Sequence, residues 1–230
     1  MGRLLSIVFF LISFSVFAYS LELAGQIEKF DGKVIVYKSG SIKGSPAKKG
    51  FELHKGDSVR TFSKSNAYIK FVDDSKMVLT ENSTMYIKEI KMVNLKVGKV
   101  VSEIQKQENK EGVKIATKSA IIGVKGTRFL VNVDKDGVDV VLKEGKINVQ
   151  SVKGEFKSYL KEQEEDFNKF VEETKKDYDE YKKKMEEEFI EFVKEFTLEG
   201  EMAVSIKRNE VKKLKDTSEF DDEFELIKNF

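Results

Sequence analysis

Cysteine is absent from this chain of 230 residues, and proline occurs only once. Without cysteine there is no disulfide, no thiolate nucleophile and no attachment point for a lipid anchor, so burial of apolar surface must hold the fold together. Histidine also occurs once, as His54 in the stretch His54-Lys55-Gly56, and reads as a surface residue. A single imidazole can neither assemble the convergent ligands of a transition-metal site nor serve as base to a serine nucleophile. Glycine-rich phosphate loops are missing, because Gly123-Val124-Lys125-Gly126-Thr127 lacks the required spacing. Asp134-Lys135-Asp136-Gly137 opens like a calcium loop but has no third oxygen ligand and no closing glutamate. The expectation is a protein without catalytic residues, cofactor or metal.

Long apolar runs are scarce too. The one of note, Leu4 to Phe17, follows a single charge at Arg3 and ends in Ala18-Tyr19-Ser20. A bilayer-spanning helix needs about 20 apolar residues, whereas a run of this length ending in small residues reads as a secretory signal cleaved after Ser20. The rival reading is an uncleaved anchor that tethers the protein to a membrane. Either way the rest of the chain is expected outside the cytoplasm, periplasmic or secreted, which argues against nucleic acid as a partner.

What the chain has in abundance is charge, 35% of its residues, segregated by sign. Leu21 to Gly154 carries 25 Lys and Arg against 16 Asp and Glu, Glu155 to Leu198 carries 9 against 15, and the remainder 6 against 9. A basic front half is thus joined to an acidic back half, and the two are expected to attract each other within one chain or between copies.

The front half, 21–154, alternates apolar and polar residues in short runs punctuated by Gly, Asp and Ser, the period-two pattern of half-buried strands. Ala67, Ile69 and Phe71 point one way; after Asp73-Asp74-Ser75 the alternation resumes with Met77 and Leu79. The pattern predicts a compact β-sandwich or β-roll of about ten short strands. Its punctuation is specific. Gly56-Asp57-x-x-x-Thr61, then Ser65, Ala67, Phe71, Asp73 and Ser75, followed by Thr117, Ala120, Gly126-Thr127-x-Phe129, Val140, Gly145 and Val149, resembles the FecR domain family over roughly Ala24 to Ser151. Asp74 stands where that family usually has glycine. The resemblance implies an extracytoplasmic β domain. In the family's signalling members such a domain is joined through a membrane helix to a segment controlling a sigma factor for iron uptake; a chain opening on an export signal is expected to lack that segment.

From Glu155 the chain divides without gaps into four units of eleven: EFKSYLKEQEE, DFNKFVEETKK, DYDEYKKKMEE and EFIEFVKEFTL. Aromatic residues fill the second and fifth positions: Phe156 and Tyr159, Phe167 and Phe170, Tyr178 and Tyr181, Phe189 and Phe192. The ninth becomes apolar toward the end, with Met185 and Phe196. Spacings of 3, 4 and 4 between Gly154 and Gly200 predict one long amphipathic helix over 155–199, a rod of roughly 66 Å at about 1.5 Å per residue. Its aromatic stripe is expected to pack on this chain, in a right-handed or straight homo-oligomeric bundle, or on lipid, the last opposed by the acidic charge. Beyond it, Met202 to Ile206 reads as a return strand. Phe220, Phe224, Ile227 and Phe230 lie at helical spacing behind Thr217-Ser218, predicting a C-terminal amphipathic helix that docks on the domain or folds on a partner.

The functional expectation is a non-enzymatic binding or scaffolding module of the cell envelope, with the helix mediating packing or assembly. A regulatory sensor acting through a separate membrane protein and a cell-wall polysaccharide binding module are the alternatives.

Overall fold

The computed structural model describes residues 22–105, 112–159, 190–214 and 217–230. The expected signal sequence lies outside these residues, as does most of the expected long helix. Between Leu23 and Ser151 the chain makes fourteen strands: β1 (Leu23–Asp31), β2 (Val34–Tyr37), β3 (Gly44–Pro46), β4 (Phe51–His54), β5 (Ser58–Thr61), β6 (Asn66–Phe71), β7 (Lys76–Leu79), β8 (Thr84–Glu89), β9 (Met92–Ile104), β10 (Val113–Ala116), β11 (Ala120–Val124), β12 (Thr127–Val133), β13 (Val138–Glu144) and β14 (Lys146–Ser151). Five more follow: β15 (Phe156–Ser158), β16 (Glu191–Val193), β17 (Glu195–Glu199), β18 (Met202–Lys207) and β19 (Glu210–Lys213). A short helix α1 (Asp221–Leu226), flanked by 3₁₀ turns, closes the chain.

The strands pair into two sheets. Sheet A runs β4, β1, β6, β7, β9, β12, β13, β18, β19, β15, β16. Sheet B runs β3, β2, β5, β8, β9, β10, β11, β14, β17. Strand β9 belongs to both. Its first half pairs with β8 and β10, and from Gly98 onward it pairs with β7 and β12. The crossing needs an unusual backbone, and Gly98 takes φ 93° there. Inward residues of the two sheets, among them Ile27, Val59, Ile69, Leu95, Ile115, Phe129, Val140 and Ile147, form one continuous core. Each such side chain contributes about 1.5–3 kcal/mol by leaving water.

The described ends of the 155–199 span do not form the single rod that its spacing predicts. At both described ends of the 155–199 span it is extended: β15 pairs with β16, placing Ser158 opposite Glu191. Opposed residues lie about 5 Å apart, whereas a straight helix would separate these two by about 50 Å. Phe156 is fully buried, and its ring meets that of Phe196 edge-on at 5.6 Å. Strand β17 extends sheet B by pairing Phe196 with Val149 and Leu198 with Ile147. Strand β18 extends sheet A along β13. The described strands beyond Gly154 therefore complete both sheets of the same sandwich.

Candidate interaction surface

The punctuating residues of the sequence direct their polar atoms to the chain itself. The Asp57 carboxylate, 1% exposed, accepts backbone N–H groups of Ser39 at 3.0 Å and His54 at 2.9 Å and the Lys38 Nζ at 2.8 Å. It ties the turn after β4, where Gly56 has φ 91°, to the turn after β2. Thr61 Oγ1 accepts the Ser83 N–H at 3.0 Å and donates to the Thr80 carbonyl. Ser65 Oγ accepts the Lys33 N–H at 2.8 Å and donates to the Ser63 carbonyl at 3.0 Å. Asp73 accepts the Ser75 N–H at 3.1 Å, and Asp74 bears the φ of 65° that explains why glycine is usual there. Ala67, Phe71 and Phe129 lie in the core. Gly145, at φ 97°, lies against Gly126 and Thr127; a Cβ on it would fall 2.6 Å from the Gly126 carbonyl oxygen.

His54 is less of a surface residue than expected, its side chain only 16% exposed and set between Lys38, Glu52 and Asp57. Asp134 caps its own turn, accepting the N–H groups of Asp136 and Gly137 at 2.8 Å each. The Gly137 bond, ahead of the Asp136 bond and the charges of Lys207 and Lys118, holds its carboxyl below the ordinary carboxylate value. Among the described residues no group of three or more His, Cys, Asp or Glu is placed to hold a metal ion. Of the predicted aromatic stripe, Phe156, Tyr159, Phe192 and Phe196 are described. Phe156 and Phe196 are brought together in the core, Tyr159 is half-buried beneath Lys157 and Lys212, and Phe192 on the outermost strand is 66% exposed. Phe167, Phe170, Tyr178, Tyr181, Met185 and Phe189 lie outside the described residues.

The two outer faces of the sandwich differ sharply. Across sheet A, Tyr68, Val78, Val101, Leu130, Val141 and Ala203 stand opposite one another in an unbroken row over six strands. All six are buried, because Phe220, Phe224 and Ile227 of the C-terminal segment pack on them, with Leu226 and Phe230 alongside. Ion pairs of Lys99 with Glu223 and of Lys143 with Asp221 fasten the segment at its flanks. Among the described residues sheet B has no such cover. Its outward positions include Tyr37, Ser58, Arg60, Thr84, Tyr86, Asn94, Lys96, Lys114, Asn148 and Gln150, with Arg60, Lys96, Lys114, Asn148 and Gln150 exposed. No carboxylate occupies an outward position on β2, β5, β10 or β11. A second polar feature sits at one end of the sandwich, where Lys118, Lys135, Lys207 and Arg208 line a cleft of about 720 Å³.

Residues 57–148 match the family model described as FecR protein. This segment is a FecR domain. Two crystal structures of a protein from Parabacteroides distasonis ATCC 8503, proposed in their descriptions to be an anti-sigma factor, resemble the chain at 13% and 12% identity with TM-scores of 0.47 and 0.46. In each case 70% of this chain is aligned, spanning 61% of the other. No curated protein matches. The FecR match begins in the turn before β5 and ends within β14, so it supplies the central strands of both sheets, with β1 to β4 outside it. Strands β15 to β19 and α1 are additions on its flank and outer face.

The sequence carried one signal of this arrangement that period-two reading passes over. In β6, β7, β12, β13 and β18 the residues that should face water, Tyr68, Val78, Leu130, Val141 and Ala203, are apolar. Strands covered on both faces lose alternation. The FecR domain thus advertises the docking site of its own C-terminal helix.

Proposed function

We propose that the chain is an exported, non-enzymatic FecR-domain binding module of the cell envelope that engages its partner through the outer face of sheet B. The observation that carries this reading is the asymmetry of the two faces: the chain's own C-terminal segment seals one, while the other presents tyrosines, amides and cations to solvent. The apolar run at the N-terminus supports the compartment. Self-association is a further mode of assembly, for which Phe192 on an edge strand is the exposed candidate contact.

The test is retention of an envelope partner by immobilised full-length chain, compared with the double variant Arg60→Glu/Lys96→Glu and with Lys228→Glu on the opposite face. Partner retention is expected to fall at least tenfold for the double variant and to persist for Lys228→Glu. Equal retention by all three would refute the assignment of the face.

The FecR match favours a second reading, a regulatory sensor of the iron-uptake type that works through a separate membrane protein. It predicts that deleting the gene alters transcription of iron-uptake genes under iron limitation. An unchanged transcript profile would sink it.

A further inference from the structure

Gly123 of β11 stands between Lys114 of β10 and Asn148 of β14 in cross-strand register on the outer face of sheet B. Neither backbone nor packing demands glycine there. Its φ is not in the left-handed region, and a Cβ on it would meet nothing closer than the Asn148 carbonyl oxygen at 3.8 Å. Glycine inside a strand weakens it and often marks a place where another molecule approaches the backbone closely. At this one the missing side chain leaves the floor of a shallow notch of about 430 Å³, whose rim is formed by Lys114, Lys125, Lys146 and Asn148. Lys146 pairs with Glu199. Lys114 and Lys125 are exposed and make no ion pair among the described residues.

We propose that this notch binds a carboxylate borne by a polysaccharide lying across sheet B. The proposal rests on the reading of sheet B as the binding face and names its ligand class. The ammonium groups of Lys114 and Lys125, with that of Lys146 shared with Glu199, and an amide around a bare backbone floor suit a compact anionic group. From the notch toward the other end of the sheet, Asn94, Tyr86, Ser58 and Tyr37 stand in register. From β14 to β2 is six strand spacings, roughly 29 Å at about 4.8 Å each, room for several sugar rings. Hydroxyl and amide side chains can bond sugar hydroxyls, and the tyrosine rings offer apolar platforms to sugar faces. An acidic peptide would find less here. Its affinity on a sheet comes from main-chain pairing at an edge, and the face of a sheet has no free backbone donors to give.

The experiment measures binding of the full chain to polygalacturonate, to neutral dextran and to poly-L-glutamate, at low and moderate salt. Expected are binding to polygalacturonate alone, weakening as salt rises, and a loss of about tenfold or more on Lys114→Glu and on Gly123→Leu, which fills the notch. Tyr86→Ala should weaken binding several-fold. Thermal melts show whether each variant folds; should Gly123→Leu fail to fold, Lys114→Gln takes its place. Absence of polygalacturonate binding, or indifference of that binding to the notch variants, overturns the proposal. So does equal binding of poly-L-glutamate with no effect of Tyr86→Ala, which would point to an acidic protein. If the envelope partner is still retained by Gly123→Leu and lost in Arg60→Glu/Lys96→Glu, the notch fails while the binding face stands.

Discussion

Replacing Gly98 by alanine should be among the most damaging single changes available in this protein, although it adds only one methyl group. Gly98 is the point at which β9 leaves sheet B for sheet A, with φ 93°. A Cβ there would lie 2.0 Å from Ser83 Oγ and 2.5 Å from the Ser83 Cα, so moving a side chain is not enough and the backbone must shift. Three costs add. A non-glycine residue at this φ costs roughly 1–3 kcal/mol. Overpacking against backbone costs about 1–3 kcal/mol. Displacing buried Ser83 disturbs the bond its Oγ accepts from the Lys99 N–H at 2.9 Å, about another 1 kcal/mol. The total, roughly 3–7 kcal/mol, is a large part of the 5–15 kcal/mol that stabilises a typical domain.

At about 2–4 °C per kcal/mol for a chain of this size, the melting temperature should fall by at least about 6 °C. Gly123→Ala supplies the internal control, since it adds the same methyl group with no contact closer than 3.8 Å and should leave stability unchanged or raised by up to about 1 kcal/mol. Urea denaturation of the three proteins measures both changes. A Gly98→Ala variant within 1 kcal/mol of wild type would refute the account of the crossing.

Three further outcomes are expected. Phe224→Ala should remove about 3–5 kcal/mol from docking of the C-terminal segment, abolishing amide-exchange protection at 220–227 while Phe129 in the inter-sheet core keeps its own; equal loss at both would show that the two clusters are one cooperative unit. Asp57→Ala leaves the Ser39 and His54 N–H groups without their acceptor and should cost about 2–4 kcal/mol by urea denaturation, with Asp57→Asn intermediate. Burial, and next the Asp31 carboxylate, pushes the Tyr68 phenol above its ordinary value of 10.0; a raised tyrosine holds its proton more tightly when folded, so its contribution is present below pH 10 and lost as pH rises through the folded value. Melting temperature should therefore fall between pH 9 and 11.5, less steeply in Tyr68→Phe, and parallel slopes would refute the assignment.

Much of the front half was legible because its determinants are local. Period-two alternation places Ala67, Ile69 and Phe71 on one face whatever lies beyond them, and turn residues such as Gly56 and Gly126 answer to φ at their own positions. About ten strands were expected up to Gly154 and fourteen formed among the described residues, because β3 and β4 are only three or four residues long and leave little period to read. The 155–199 span misled at its ends for a different reason. Phe192 and Phe196 fit a 3-4-4 helical spacing, yet Phe196 and Leu198 also alternate as strand residues do, and so short a stretch satisfies both patterns.

What the sequence alone determined, then, is the β domain, its turns and the division of charge, since these follow from side-chain period and backbone sterics within a few residues. Tertiary structure decided the rest. Strand β17 has its ladder because β14, about fifty residues earlier, supplies the partners for its backbone; outer-face burial of Tyr68 and Leu130 exists because a segment from the far end of the chain lies on them. Those choices were settled by non-local hydrogen bonds and apolar contact, and among the described residues they leave sheet B as the uncovered face.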